Sequence, residues 1–196
     1  VRRLDDAFDG GALLGLGLQK VVQVVTLAEL PGVGEPREDG KTFSENARHK
    51  ALHYAKAYKI LCIADDSGLA VEPLGGRPGV RSARFAGEGA TDAENNAHLL
   101  HELAPFPRPW KAAFVCVAAA ALPNRVAAEA TGKAEGEILP QGRGGDGFGY
   151  DPLFFVPSLG KTMAELSTEE KNRISHRGQA LRALIAQMKT AGLLLE

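Results

Sequence analysis

Residues 42–68, TFSENARHKALHYAKAYKILCIADDSG, read as a helix followed at once by a buried strand that delivers two adjacent aspartates. Thr42-Phe43-Ser44-Glu45 matches the capping box, in which an N-cap hydroxyl and a carboxylate three residues later satisfy each other's free backbone N–H groups. Ala47, Ala51, Tyr54, Ala55 and Tyr58 follow at helical spacing, which predicts a helix over 44–58. Ile60 to Ala64 then reads as a short apolar strand ending at Asp65, with a second strand over Leu69 to Glu72. Asp65 and Asp66 are thus expected at a strand exit, and in open α/β sheets the carboxyl ends of strands are where ligands bind.

The same reading extends in both directions. Upstream, Pro31 to Gly40 is a loop, and Gly10 to Gly17 is a turn leading into a strand at Leu18 to Leu27. Downstream, Thr91-Asp92-Ala93-Glu94 starts a second capped helix that reaches Leu103, where Pro105, Pro107 and Pro109 forbid continuation. Lys111 to Leu122 and Arg125 to Ile138 read as long strands, and the short Pro123-Asn124 link suits an antiparallel hairpin. A glycine loop (Gly142 to Gly149), a strand (Leu153 to Val156) and a third capping box (Ser167-Thr168-Glu169-Glu170) come next. The final helix, Arg177 to Thr190, places Leu181, Leu184, Ile185 and Met188 on one face. Helices interleaved with local and hairpin-joined strands predict an α/β fold around a mixed sheet.

Bulk properties narrow the function. At 196 residues and 44% hydrophobic, the chain suffices for one well-buried core. Lys plus Arg number 23 against 24 for Asp plus Glu, so no global positive field draws nucleic acid or an anionic membrane. The longest apolar run, Ala112 to Leu122, is too short to cross a bilayer, and no signal-peptide pattern opens the sequence; a cytosolic protein is expected. Cys62 and Cys116 lie in apolar strand-like runs, as reduced core thiols do.

Asp65-Asp66-Ser67-Gly68 admits two readings: a metal-binding or base-bearing turn, or a local Asx turn. Magnesium takes one or two carboxylates plus waters and substrate phosphates, so further acids are required. Glu38 and Asp39 lie in the loop before the first capping box, whereas Glu45 is better read as a cap. Asn46 and Lys50 share a helix face beside a stripe of His49 and His53; taken alone that face reads as solvated, although a lysine there could meet a phosphate. Gly142 to Asp151 has five glycines in its first eight residues, yet lacks both the Gly-Lys-Ser/Thr of a Walker loop and the following helix of a dinucleotide fingerprint. Phe148 within it has no periodic core role and could stack on a base. Lys171, Arg173 and Arg177 form a cationic run that would favour a carbonyl over an amino group on a purine.

Together these stretches resemble the inosine triphosphate pyrophosphatase family. The matching text is Glu38 to Ala47, Ala64 to Leu69, Gly75-Gly76-Arg77-Pro78-Gly79-Val80-Arg81-Ser82-Ala83-Arg84, Gly147 to Pro152 and Ser175 to Leu181, which spans the chain after residue 35. The resemblance implies a two-lobed α/β fold, with a long twisted mixed sheet flanked by helices and a central substrate cleft. It also implies one pyrophosphatase domain over residues 1–196 and a homodimer. The implied reaction is magnesium-dependent hydrolysis of XTP, ITP or dITP to the monophosphate and pyrophosphate. Asp66 would be metal ligand and general base, with Glu38 a second metal ligand. Ser67 and Lys50 would contact phosphate, Phe148, Gly149, Tyr150 and Asp151 would enclose the base, and Lys171, His176 and Arg177 would read its 6-keto edge. Asp65 would be structural.

One departure stands out. Family members open with a strand ending in a Ser/Thr-x-Asn-x-x-Lys phosphate turn, which this sequence lacks; Val1-Arg2-Arg3-Leu4 resembles the start of the helix that follows. A nucleotide-binding protein with impaired catalysis is therefore the rival expectation. A pyrophosphatase of the septum-formation inhibitor type is a third, against which Ser175-His176-Arg177 argues.

Overall fold

The computed structural model describes residues 24–194. In chain order its elements are α1 (Phe43–Tyr58), β1 (Cys62–Val71), α2 (Asp92–Leu103), β2 (Trp110–Leu122), β3 (Arg125–Ile138), β4 (Phe154–Val156), β5 (Lys161–Thr162), α3 (Thr168–Ile174) and α4 (His176–Thr190). The strands form one sheet in the order β1-β2-β3-β4-β5, giving the α/β architecture expected. Pro123 and Asn124 alone connect β2 to its neighbour β3, and so short a link reverses the chain into an antiparallel pair. β3 with β4 and β4 with β5 are antiparallel as well, Glu137 facing Phe155 and Phe155 facing Thr162.

The structure corrects the expected local geometry at the acidic pair. Instead of two strands around a turn, β1 runs unbroken from Cys62 to Val71 through Asp65, Asp66, Ser67 and Gly68. Aspartate favours turns because its carboxylate competes for nearby backbone N–H groups. Here both carboxylates are engaged by cations from distant segments, so that competition is lost and the strand continues. The strand expected at Leu18 to Leu27 falls mostly outside the described residues; its last residue begins a single 3-10 turn, Leu27–Glu29. Gly10 to Gly17 and Val1 to Leu4 also lie outside the described residues.

Two compact units emerge, and β1, β2 and β3 each contribute a segment to both. Among the described residues, the first comprises those up to Asp66, Val117–Gly132 and those from Arg177 onward. Its core is alanine-rich: Ala47, Ala51 and Ala55 of α1 pack on Ala64, Val117, Ala119 and Ala121. Such small side chains let the helix lie close to the strands, near enough for the next residues on α1 to reach the carboxylates of β1. The second unit comprises Ser67–Cys116 and Lys133–His176. It is built on larger residues, among them Leu69, Leu99, Leu103, Trp110, Phe114, Ile138, Phe154 and Met163, all buried. Within it, the Gly75–Arg84 motif is scaffold: the Ser82 hydroxyl accepts the Leu69 N–H at 2.8 Å and donates to the Gly79 carbonyl at 2.6 Å.

Candidate active site

Adjacent residues on a strand point to opposite faces, and the two aspartates of β1 are accordingly taken by different helices. Asp66 turns toward α1. Its Oδ1 accepts from Lys50 Nζ at 3.0 Å and its Oδ2 from Asn46 Nδ2 at 3.1 Å. The same ammonium donates to Glu38 Oε1 at 2.8 Å, so Lys50 bridges the two acids. The Lys50 and Asp66 side chains are only 9% and 10% exposed, where water screens the attraction weakly. The solvated helix face read from the sequence is therefore incorrect for Asn46 and Lys50; both are buried, whereas on the adjacent stripe His49 is exposed and His53 half-buried.

Burial pushes the Asp66 carboxyl above its ordinary range, more than Lys50 and Asn46 pull it down. Burial also acts to lower Lys50, but the neighbouring carboxylates of Asp66 and Glu38 outweigh it and hold the ammonium charged. With Asp66 ionised, these three groups carry a net charge of −1. Two carboxylate oxygens gathered around one ammonium, in a group of net negative charge, are hard donors of the kind that suits a divalent cation such as magnesium.

Glu38 comes from an irregular segment, and its position is set by α1. The segment lies along the helix in reverse order. Tyr58 Oη donates to the Pro31 carbonyl at 2.7 Å, and His53 Nε2 lies 2.7 Å from the Gly34 carbonyl. Lys50 then takes Glu38, Asn46 Oδ1 accepts the Gly40 N–H at 2.9 Å, and Glu45 accepts the Lys41 N–H at 2.6 Å. The expected capping box is half-formed: Thr42 Oγ1 accepts the Glu45 N–H at 3.1 Å, but the Glu45 carboxylate reaches past Thr42 to Lys41. Asp39 is exposed and lies 3.8 Å from Arg37.

Asp65 faces the other way, is 4% exposed, and its Oδ2 accepts from Arg177 Nε at 3.1 Å. It holds an arginine at the start of α4. Sequence reading treated Asp65 as structural and missed that its partner is a residue implied in base recognition; no local pattern could have shown it, because the two lie 112 positions apart. Ser67 is half-buried on β1.

In the second unit the glycine loop brings Phe148, Asp151 and Lys171 together. Asp151 Oδ2 accepts the Phe148 N–H at 2.9 Å and Lys171 Nζ at 2.5 Å, and that ammonium stands 5.1 Å from the centre of the Phe148 ring. Gly147 holds φ +85, and a Cβ there would run into the Asp151 carboxylate. Phe148 is 51% exposed, an aromatic face open on a tied loop. Tyr150 points inward instead: it is buried, its hydroxyl donates to the Ser82 carbonyl at 2.8 Å, and burial beside Asp92 raises its pKa. His176 stacks on Phe114 with ring centres 5.1 Å apart and planes at 15°, which fixes the imidazole's plane.

The Ham1 family model matches residues 11–187. The dITP/XTP pyrophosphatase of Desulfotalea psychrophila is 52% identical over 166 residues, covering 85% of this chain and 74% of that protein. The dITP/XTP pyrophosphatase of Desulforamulus reducens is 53% identical over 161 residues, covering 82% and 80%. Among solved structures, the Staphylococcus aureus Ham1 protein superposes with a TM-score of 0.83 at 40% identity, covering 94% of this chain and 95% of that one.

Proposed function

The chain belongs to the Ham1 family, and from that premise we propose that it hydrolyses non-canonical purine nucleoside triphosphates, XTP, ITP and dITP, to the monophosphate and pyrophosphate. The observation that carries this reading is the Glu38–Lys50–Asp66 cluster, in which an exposed and a buried carboxylate share one buried, helix-borne ammonium.

Asp66 acts as the general base. A base works best with a pKa near the working pH, and burial moves this carboxyl in that direction. It accepts the proton of a water attacking the α-phosphorus, the bond to the bridging oxygen breaks, and pyrophosphate leaves. Glu38 and Asp66 would hold a magnesium ion, which would supply positive charge against the phosphate oxygens. Lys50 and Ser67 donate to phosphate oxygens. Phe148 stacks on the base, with Gly149, Tyr150 and Asp151 completing its enclosure. Lys171, His176 and Arg177 meet the 6-keto edge: ammonium and guanidinium groups donate and never accept, so an amino group in place of the carbonyl is refused. The active protein is a cytosolic homodimer in this reading; no described helix is long and apolar enough to cross a membrane. Light scattering that returns the mass of a single chain overturns the dimer.

The decisive assay is pyrophosphate release from dITP and XTP with magnesium present and with it chelated. Release only with the metal, and strong preference over ATP, is the expected result. Equal activity on ATP, or orthophosphate as product, rejects the proposal. A second measurement concerns selectivity. Arg177→Ala should erode the ratio of kcat/KM for ITP over ATP by about tenfold, the worth of one good hydrogen bond. Asp65→Ala should reproduce part of that loss by removing a carboxylate that orients the guanidinium, and an unchanged ratio in both variants removes Arg177 from base recognition.

A further inference from the structure

One face of α2 grips the Gly149 residue at both of its backbone polar groups. Asp92 and Asn96 stand one helical turn apart and so project side by side. The Gly149 N–H donates to Asp92 Oδ2 at 2.7 Å, and the Gly149 carbonyl accepts from Asn96 Nδ2 at 2.9 Å. Gly149 itself sits at φ +61, a conformation side-chained residues rarely hold. The amide of Asn96 is oriented by this contact alone among those described: its Oδ1 is buried with no hydrogen-bond partner, and turning the amide over would set that oxygen against the Gly149 carbonyl. Leaving a buried acceptor unmet is costly, so the grip on Gly149 is what the site retains at that cost.

The neighbours of Gly149 are tied from other directions. The Phe148 N–H is held by Asp151, and the Tyr150 hydroxyl by the Ser82 carbonyl. A glycine-rich loop left loose would have to be frozen each time a ligand bound, and that ordering cost is subtracted from affinity. We propose that Asp92 and Asn96 are positioning residues for base recognition, fixing the loop so that the exposed Phe148 ring is set before the nucleotide arrives. The proposal rests on the nucleotide reading above. It assigns the pair an effect on affinity and none on the chemistry at Asp66.

The test combines steady-state kinetics on dITP with calorimetric binding of inosine monophosphate, which needs no turnover. Asp92→Ala and Asn96→Ala should each raise KM about tenfold with kcat held within about twofold, and weaken inosine monophosphate binding by the same factor. Asp92→Asn keeps an oxygen for the Gly149 N–H and should recover most of what Asp92→Ala loses. Asp92 also supplies an acid in the first turn of α2, so Asn96→Ala, in the helix interior where alanine is well tolerated, gives the independent reading. Unchanged KM and affinity in both alanine variants, or a fall in kcat at constant KM, overturns the proposal. If the unaltered protein neither hydrolyses dITP nor binds inosine monophosphate, the nucleotide reading is what fails. Hydrogen exchange then decides the grip itself: the Gly149 amide should lose protection in Asp92→Ala, and unchanged protection refutes it.

Discussion

Asp66→Asn is expected to lower pyrophosphate release from dITP by roughly three orders of magnitude, the scale set by removing a positioned base. The exchange keeps the shape of the side chain and removes its charge. It also replaces one acceptor with an NH₂ group, and since Asn46 Nδ2 and Lys50 Nζ are both donors, one of the two contacts must break. Against that loss, a charge that burial disfavours is no longer present. The two effects oppose each other, so the melting temperature should move by less than about 5 °C. Loss of turnover with the fold retained is the expected pairing. A fall of only a few-fold means that another group takes the proton.

Lys50→Met should have the second largest effect, and it should depend on pH. Methionine fills a similar volume but leaves Asp66 buried with its cation gone, a change that costs about 3 kcal/mol when a buried pair loses one partner. The sign for stability follows from the direction of the shift. Burial already places the folded Asp66 carboxyl above its unfolded value, and losing Lys50, which pulls it down, raises it further. A raised carboxyl favours folding below its unfolded pKa, and that contribution disappears as pH rises through the folded pKa. The stability gap between Lys50→Met and the unaltered protein should therefore narrow in mildly acidic buffer and widen in neutral buffer. Any residual activity needs the ionised carboxylate, so the acidic limb of its pH profile should move to higher pH. Thermal melts across pH and a kcat/KM profile check both; a gap independent of pH, or an unmoved limb, argues that Asp66 and Lys50 are not coupled.

How far the sequence alone carried the fold is clearest at α1 and the β2–β3 pair. Capping, helical periodicity and a two-residue link are local properties, and the observed Phe43–Tyr58 helix and the Trp110–Leu122 and Arg125–Ile138 strands lie within a residue of expectation. Where tertiary contacts override local tendency, sequence reading goes astray. The Asp-Asp-Ser-Gly stretch has turn chemistry, yet Lys50 and Arg177 hold it in a strand. Lys50 has the spacing of a surface residue, yet alanines at 47, 51 and 55 lower its helix onto the strands and bury it. Tyr150 stands in a loop beside Phe148, yet faces the core because a carbonyl at Ser82 is there to take its hydroxyl. The motif text pointed to the Phe148–Asp151 and Lys171–Arg177 stretches, but Asp92 and Asn96, which hold Gly149, belong to an ordinary amphipathic helix and carry no pattern of their own.

The reverse-order docking of residues 31–41 along α1 turns helix pitch into a gauge for chain length. Each contact point, from Tyr58 through His53, Lys50 and Asn46 to Glu45, meets one position of the segment. Loops ordinarily absorb insertions and deletions readily. This one should not: removing Pro36 or Arg37 would draw the glutamate off Lys50 while every acidic residue remained in the sequence. In this stretch the number of residues matters as much as their identity.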